Sequence, residues 1–302
     1  MNMTRSKEDP MTLKNLGLGL LLDAALIAPS LAHADATVTR DRFSDEIAGT
    51  GPDLVFIPGL ASSRDTWKAA AGRLKTHYRL HLIQVAGFAG EPARANASGE
   101  VVVSTAEAID AYLVEQHLTP AIVIGHSLGG TMTLYLAERH PEHLKKAMLV
   151  DTLPFFGTLM GGPNATAASM KPAADQVRAR KEKMTPAQYD QMMRNMATAP
   201  ADLAAIKAWG TASDTTVVAD AMADDMTLDL RPDLAKITAP ITLLHPDYTA
   251  LGTPPGMMAQ VYKGAFAAAP TVKVVEIAPS LHFIMFDQPA KFDAALDAFL
   301  AN

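Results

Sequence analysis

Ala121-Ile122-Val123-Ile124-Gly125-His126-Ser127-Leu128-Gly129-Gly130 is the stretch from which the rest of the chain can be read. Ile122, Val123 and Ile124 form an apolar β-branched run suited to a strand covered on both faces. After the turn, Leu128, Met132 and Leu136 recur every four residues, as one face of a helix does. Between strand and helix there are no spare residues, so the central serine is forced into a strained backbone conformation that lifts its hydroxyl above the sheet. Side chains two positions to either side would collide there, which explains Gly125 and Gly129. Ser127 is therefore the candidate nucleophile.

Working outward, the same strand, turn and helix pattern repeats. Asp53–Ile57 reads as a strand running into Pro58-Gly59-Leu60-Ala61-Ser62-Ser63, with a helix from Ser63 to Lys75 carrying Trp67. Gly59 lets the chain turn so that the backbone N–H of Leu60 faces the site, the shape of a second oxyanion donor. Further strands are expected at 78–85, 144–150, 240–247 and 271–277, and a weaker edge strand or hairpin half at 37–47. Ser104 and Glu107 resemble a capping box opening a helix that ends at Gln116. A closing helix from about Asp287 buries Phe292, Leu296, Phe299 and Leu300. Strands alternating with helices at this spacing predict an α/β fold with a mostly parallel central sheet and helices on both faces.

The pattern breaks between 153 and 230, where no convincing strand appears and helical stretches are punctuated by proline and glycine. Methionines concentrate here, and methionine adapts to irregular apolar shapes. Phe155, Phe156, Met160, Met192, Met196 and Trp209 are candidates for lining a substrate pocket under a helical cap. The expected organisation is a core from 37–152 and 231–302 with a cap insertion at 153–230.

A serine hydroxyl needs a base, and the base needs an acceptor that holds its tautomer. Among the nine histidines, His282 alone falls in a loop directly after a late strand, so it is the candidate base. Asp247 lies just past its strand in the chain order serine, acid, histidine and is the favoured acid. Asp151, at the end of the preceding strand, is the alternative. His140 and His143 are spaced as a metal pair, but no third ligand stands near them in sequence. No metal and no cofactor are expected.

The chain has 302 residues, 49% hydrophobic and 19% charged, with a formal net charge of −6 and no cysteine. This is globular composition. The acidic balance argues against nucleic-acid or anionic-membrane partners, and thiol catalysis and thiolate zinc sites are excluded. Lys14 precedes an apolar run from Leu16 to Ile27 that ends in small residues, resembling a secretory leader over residues 1–36 cleaved after Ala34 or Ala36. The run is too short for a permanent membrane anchor. A periplasmic or secreted location is expected, the cytoplasm being the alternative.

Residues 50–301 resemble the serine-hydrolase, esterase-like branch of the α/β-hydrolase fold superfamily. The resemblance rests on GHSLGG at 125–130, PGLASS at 58–63, DLRPDLAKITAPITLL at 229–244 and HFIMFDQP at 282–289. It implies Ser127 as nucleophile, Asp247 as acid, His282 as base, and an oxyanion hole from the N–H groups of Leu60 and Leu128. Pro58 stands where the family usually has histidine. The acid loop reads HPDYTALG, without the usual glycine followed shortly by aspartate. The dehalogenases and epoxide hydrolases that share the fold use aspartate at the nucleophile position, so serine points to acyl transfer. Carboxylic esters or lactones of small to medium apolar acyl groups are the expected substrates. Carbon–carbon bond hydrolysis, perhydrolysis, amide hydrolysis, acyl transfer or non-catalytic small-molecule binding are the alternatives.

Overall fold

The computed structural model of the chain describes residues 1, 36–180 and 186–301. The expected leader therefore lies outside the described residues, apart from Met1 and Ala36. Eight strands form one sheet: β1 (Ala36–Thr39), β2 (Phe43–Gly49), β3 (Asp53–Ile57), β4 (Arg79–Val85), β5 (Ala121–His126), β6 (Leu144–Val150), β7 (Ile241–His245) and β8 (Val272–Glu276). Their order is β1-β2-β4-β3-β5-β6-β7-β8. The hairpin β1–β2 pairs antiparallel with β4 along the edge, and the strands from β4 onward run parallel.

The helices are α1 (Lys68–Leu74), α2 (Val102–Glu115), α3 (Leu128–Arg139), α4 (Gly157–Gly161), α5 (Ala167–Arg180), α6 (Pro186–Met193), α7 (Pro200–Ala212), α8 (Thr215–Thr227), α9 (Met257–Ala265), α10 (Ile284–Asp287) and α11 (Pro289–Ala301). Strand alternation divides the core between two faces. Val55 and Ile57 of β3 join a cluster with Ile109, Leu113, Met132, Leu136 and Phe266 from α2, α3 and the end of α9. Leu54 and Phe56 join a second cluster with Trp67, Leu74, Phe292 and Leu296 from the α1 and α11 side. This is why the central strands read as continuous apolar runs.

The expected strand positions are found to within a residue or two, and the weak 37–47 segment is a full hairpin. One expectation is overturned. Helix α2 starts at Val102, so Ser104 and Glu107 lie inside it and form no capping box. Its first donors are satisfied from a distance, the Asp224 carboxylate of α8 accepting from the Val101 and Val102 N–H groups at 2.6 and 3.1 Å. A buried acid at a helix N-terminus meets both the open N–H groups and the positive end of the dipole.

Between β6 and β7 the described residues hold α4 to α8 and no strand. No helix among the described residues is long and apolar enough to cross a membrane.

Candidate active site

Ser127 sits between β5 and α3 at φ 52°, ψ −120°, a conformation that costs a non-glycine residue on the order of 1–3 kcal/mol. The surroundings hold it there. Its N–H donates to the Val150 carbonyl at 2.9 Å, and its carbonyl accepts from the Thr131 N–H at 2.9 Å and the Thr152 hydroxyl at 2.8 Å. A Cβ at Gly125 would run into the Gly129 carbonyl, and one at Gly129 into the carbonyls of Ile57 and Pro58. The steric reading of the motif is therefore correct at both glycines.

The loop after β3 passes directly against this elbow. A Cβ on Gly59 would stand 3.1 Å from the Ser127 Cβ, so Leu60 follows directly on a close approach of the two segments. Leu128 opens α3, and its N–H is one of the helix donors without a helical acceptor. Both oxyanion candidates are thus adjacent in chain to the points where loop and elbow meet.

His282 lies beyond β8. Its carbonyl accepts from His126 Nε2 at 3.1 Å, and the two rings are 4.6 Å apart. Burial, followed by the charge of His282, pushes the His126 imidazole down to about 3, so it is a neutral partner. His282 Nδ1 donates to Asp151 Oδ2 at 2.5 Å. This leaves Nε2 as the ring nitrogen for proton exchange.

Asp247, the favoured acid, is not the carboxylate that this structure places on His282. Asp247 Oδ1 accepts from the Ser280 N–H at 2.9 Å and Oδ2 from the Thr249 hydroxyl at 2.6 Å. It thereby ties the loop after β7 to the loop that carries His282. The alternative, Asp151, is the carboxylate on the histidine. It directly follows β6 at φ 50°, and it also accepts from Tyr248 Oη at 2.7 Å and from the Tyr262 hydroxyl. Burial alone would raise the Asp151 carboxyl, but the His282 charge and the hydrogen bonds from His282, Tyr262 and Tyr248 outweigh it and hold the group below its ordinary value. The tyrosines answer in kind: burial and the neighbouring carboxylate push both well above the usual phenol range. No sequence motif points to either tyrosine, although Tyr248 stands beside Asp247 in the loop after β7.

The six lining candidates separate into two groups. Phe155 is 1% exposed and packs with Met170, Ala174 and Met226 in a small core beneath α5 and α8, with the Arg231 guanidinium over its ring. Phe156 packs against the same cluster, and Met160 is 56% exposed. Met192, Met196 and Trp209 pack instead against the cluster containing Phe283 and Met285. The Asn195 and Met196 carbonyls accept from the His282 and Phe283 N–H groups at 3.1 and 2.8 Å, and Trp209 lies 6.2 Å from the Phe286 ring. Sequence periodicity separates buried from exposed methionines poorly, because short helices joined by turns leave their packing partners undefined.

The α7–α8 junction is fastened to the strand-end loops as well. The Ser213 hydroxyl accepts from the Ala89 N–H at 2.8 Å, and the Asp214 N–H donates to the Gly87 carbonyl at 2.7 Å. Every element of the site therefore gathers at the carboxyl ends of the parallel strands, where open α/β sheets place their ligands.

Residues 54–295 match the sequence profile of the alpha/beta hydrolase family. The pimeloyl-acyl-carrier-protein methyl ester esterase of Aeromonas hydrophila is 38% identical over 124 residues, 40% of this chain and 43% of that enzyme. The chain thus matches less than half the length of that curated relative. A hydrolase from Pseudomonas aeruginosa superposes with a TM-score of 0.71 at 19% identity, covering 90% of this chain and 100% of the other. An esterase from Exiguobacterium antarcticum superposes with a TM-score of 0.69 at 21% identity, covering 86% and 96%. With a profile match running from β3 into α11 on a sheet that builds a serine elbow at its centre, the chain belongs to the alpha/beta hydrolase family.

Proposed function

We propose that the chain is a serine hydrolase that cleaves carboxylic esters of small to medium apolar acyl groups through an acyl-enzyme. The observation that carries this reading is the His282–Asp151 pair packed against His126, the residue just before Ser127 in the elbow. Ser127 Oγ attacks the ester carbonyl carbon while His282 Nε2 takes its proton. Asp151 holds the imidazole in the required tautomer and balances the imidazolium. The Leu60 and Leu128 N–H groups receive the oxyanion. His282 then returns the proton to the leaving alcohol, and water, activated by the same histidine, releases the acid and restores Ser127. Helices α4 to α8 act as the cap, with Met192, Met196 and Trp209 facing the acyl chain. The methyl ester esterase activity named for the relative supports a small alkoxy leaving group.

The test is hydrolysis of nitrophenyl esters from acetate to laurate by wild type and Ser127→Ala, with a fluorophosphonate label. Turnover and labelling lost together in the variant are the expected result. A folded wild type that neither turns over nor labels overturns the proposal in favour of a binding protein.

A further inference from the structure

The far end of α3 carries a second constellation. His140 closes the helix, and His143 ends the short turn Pro141–His143 that leads into β6. Along the sequence this pair lacks a third ligand, but the fold supplies one from α2. Asp110 Oδ1 lies 2.8 Å from His143 Nδ1, and Asp110 Oδ2 lies 3.7 Å from His140 Nδ1. One donor atom from each of the three residues falls within 4.8 Å of the others. We propose that Asp110, His140 and His143 bind a divalent transition-metal ion, zinc being the ion their donors suit best.

Geometry supports the assignment. Bonds of roughly 2.0–2.1 Å to nitrogen and oxygen in a tetrahedral site put donor atoms about 3.3 Å apart. The observed spacings bracket that value, so small side-chain rotations seat an ion. Two imidazoles and one carboxylate match the ligand chemistry of zinc, with water completing the shell. The Asp110 side chain is 9% exposed, while His140 and His143 are 24% and 25% exposed, so the acid is fixed and an ion has a path inward.

The surroundings are those of a metal-bound imidazole. His140 Nε2 donates to Glu107 Oε2 at 3.1 Å, and Glu107 Oε1 accepts from the Tyr135 hydroxyl at 2.6 Å. A carboxylate accepting from one ring nitrogen orients the ring and presents the other nitrogen's lone pair, the usual support of a metal-ligating histidine. Here that other nitrogen is Nδ1, which faces Asp110. Glu142 Oε1, 3.8 Å from His143 Nε2, adds negative charge on the outer side. The site stands apart from the elbow. Twelve residues of α3 separate it from Ser127, about 18 Å of helix, so the ion clips α2, α3 and the start of β6 together.

The experiment is titration of the chelator-treated full-length chain with Co2+, followed by its visible absorption, and with Zn2+, followed by calorimetry. One equivalent of Co2+ giving a four-coordinate spectrum, displaced by Zn2+, is expected. His143→Ala and Asp110→Asn should each weaken Zn2+ binding at least tenfold. Glu107→Gln, which alters the partner of the His140 ring and of the Tyr135 hydroxyl but none of the three ligands, should weaken it about 10- to 100-fold. Zn2+ should raise the wild-type Tm, and chelation should leave ester hydrolysis unchanged. Absence of saturable binding in wild type overturns the site, and so does equal binding by a folded His140→Ala/His143→Ala variant. The first of these outcomes does not depend on any variant folding.

Discussion

At the scale of single residues, the acid question separates two aspartates whose chemistry is identical. Asp151 and Asp247 follow neighbouring parallel strands, so both reach the same rim. Only the backbone turn at Asp151, φ 50°, aims its carboxylate at His282. Asp151→Asn should lower kcat/KM for a nitrophenyl ester by roughly 10³–10⁴-fold, the cost of the wrong histidine tautomer. Asp247→Asn should act mainly on stability, because its oxygens hold Ser280 and Thr249. Steady-state kinetics beside thermal melting distinguishes the two, and an inactive but fully stable Asp247→Asn would reverse the assignment. His126 carries a pH dependence of its own. Its folded value is depressed to about 3 by burial, against about 6.5 in an unfolded chain. The unfolded state therefore binds the extra proton between these limits. The stabilisation is complete above pH 6.5 and is lost as pH falls towards 3, by about 2 kcal/mol at pH 5. Melting curves of His126→Gln should fall less steeply over that range than those of wild type.

At the scale of elements, the start of α2 shows how a tertiary contact replaces a local signal. Ser104 and Glu107 have capping-box spacing, yet the helix begins earlier because the Asp224 carboxylate receives the Val101 and Val102 N–H groups. Arg178 of α5 pairs with the same carboxylate, so α2, α5 and α8 share one buried charge. Removing it strands two buried donors and leaves Arg178, among the described residues, with only the Asp220 carboxylate, 3.9 Å away. Asp224→Ala should cost about 2–4 kcal/mol in urea unfolding, more than an exposed cap. Ser104→Ala, inside the helix, should be nearly neutral. Equal effects of the two substitutions would return the capping role to Ser104.

At the scale of the whole molecule, the segment between β6 and β7, proposed above as the cap, is tied to loops at the strand ends. The α7–α8 junction is hydrogen-bonded to Ala89 and Gly87 on one side, and the turn after α6 to His282 and Phe283 on the other. Trp209→Ala should open space beside Phe286 and shift the acyl-length optimum of nitrophenyl ester hydrolysis towards longer chains, with little change for acetate. An unchanged chain-length profile would place the acyl group elsewhere. The sequence by itself determined the sheet, the elbow and His282. Each depends on a local rule: strand periodicity, the steric need for Gly125 and Gly129, and a loop position after a strand. Only the tertiary structure decided which aspartate meets His282, that Tyr248 and Tyr262 brace it, that Asp224 opens α2, and that Asp110 stands beside His140 and His143. Those pairings join side chains from different elements, and their direction depends on backbone turns and strand order that no single stretch of sequence contains.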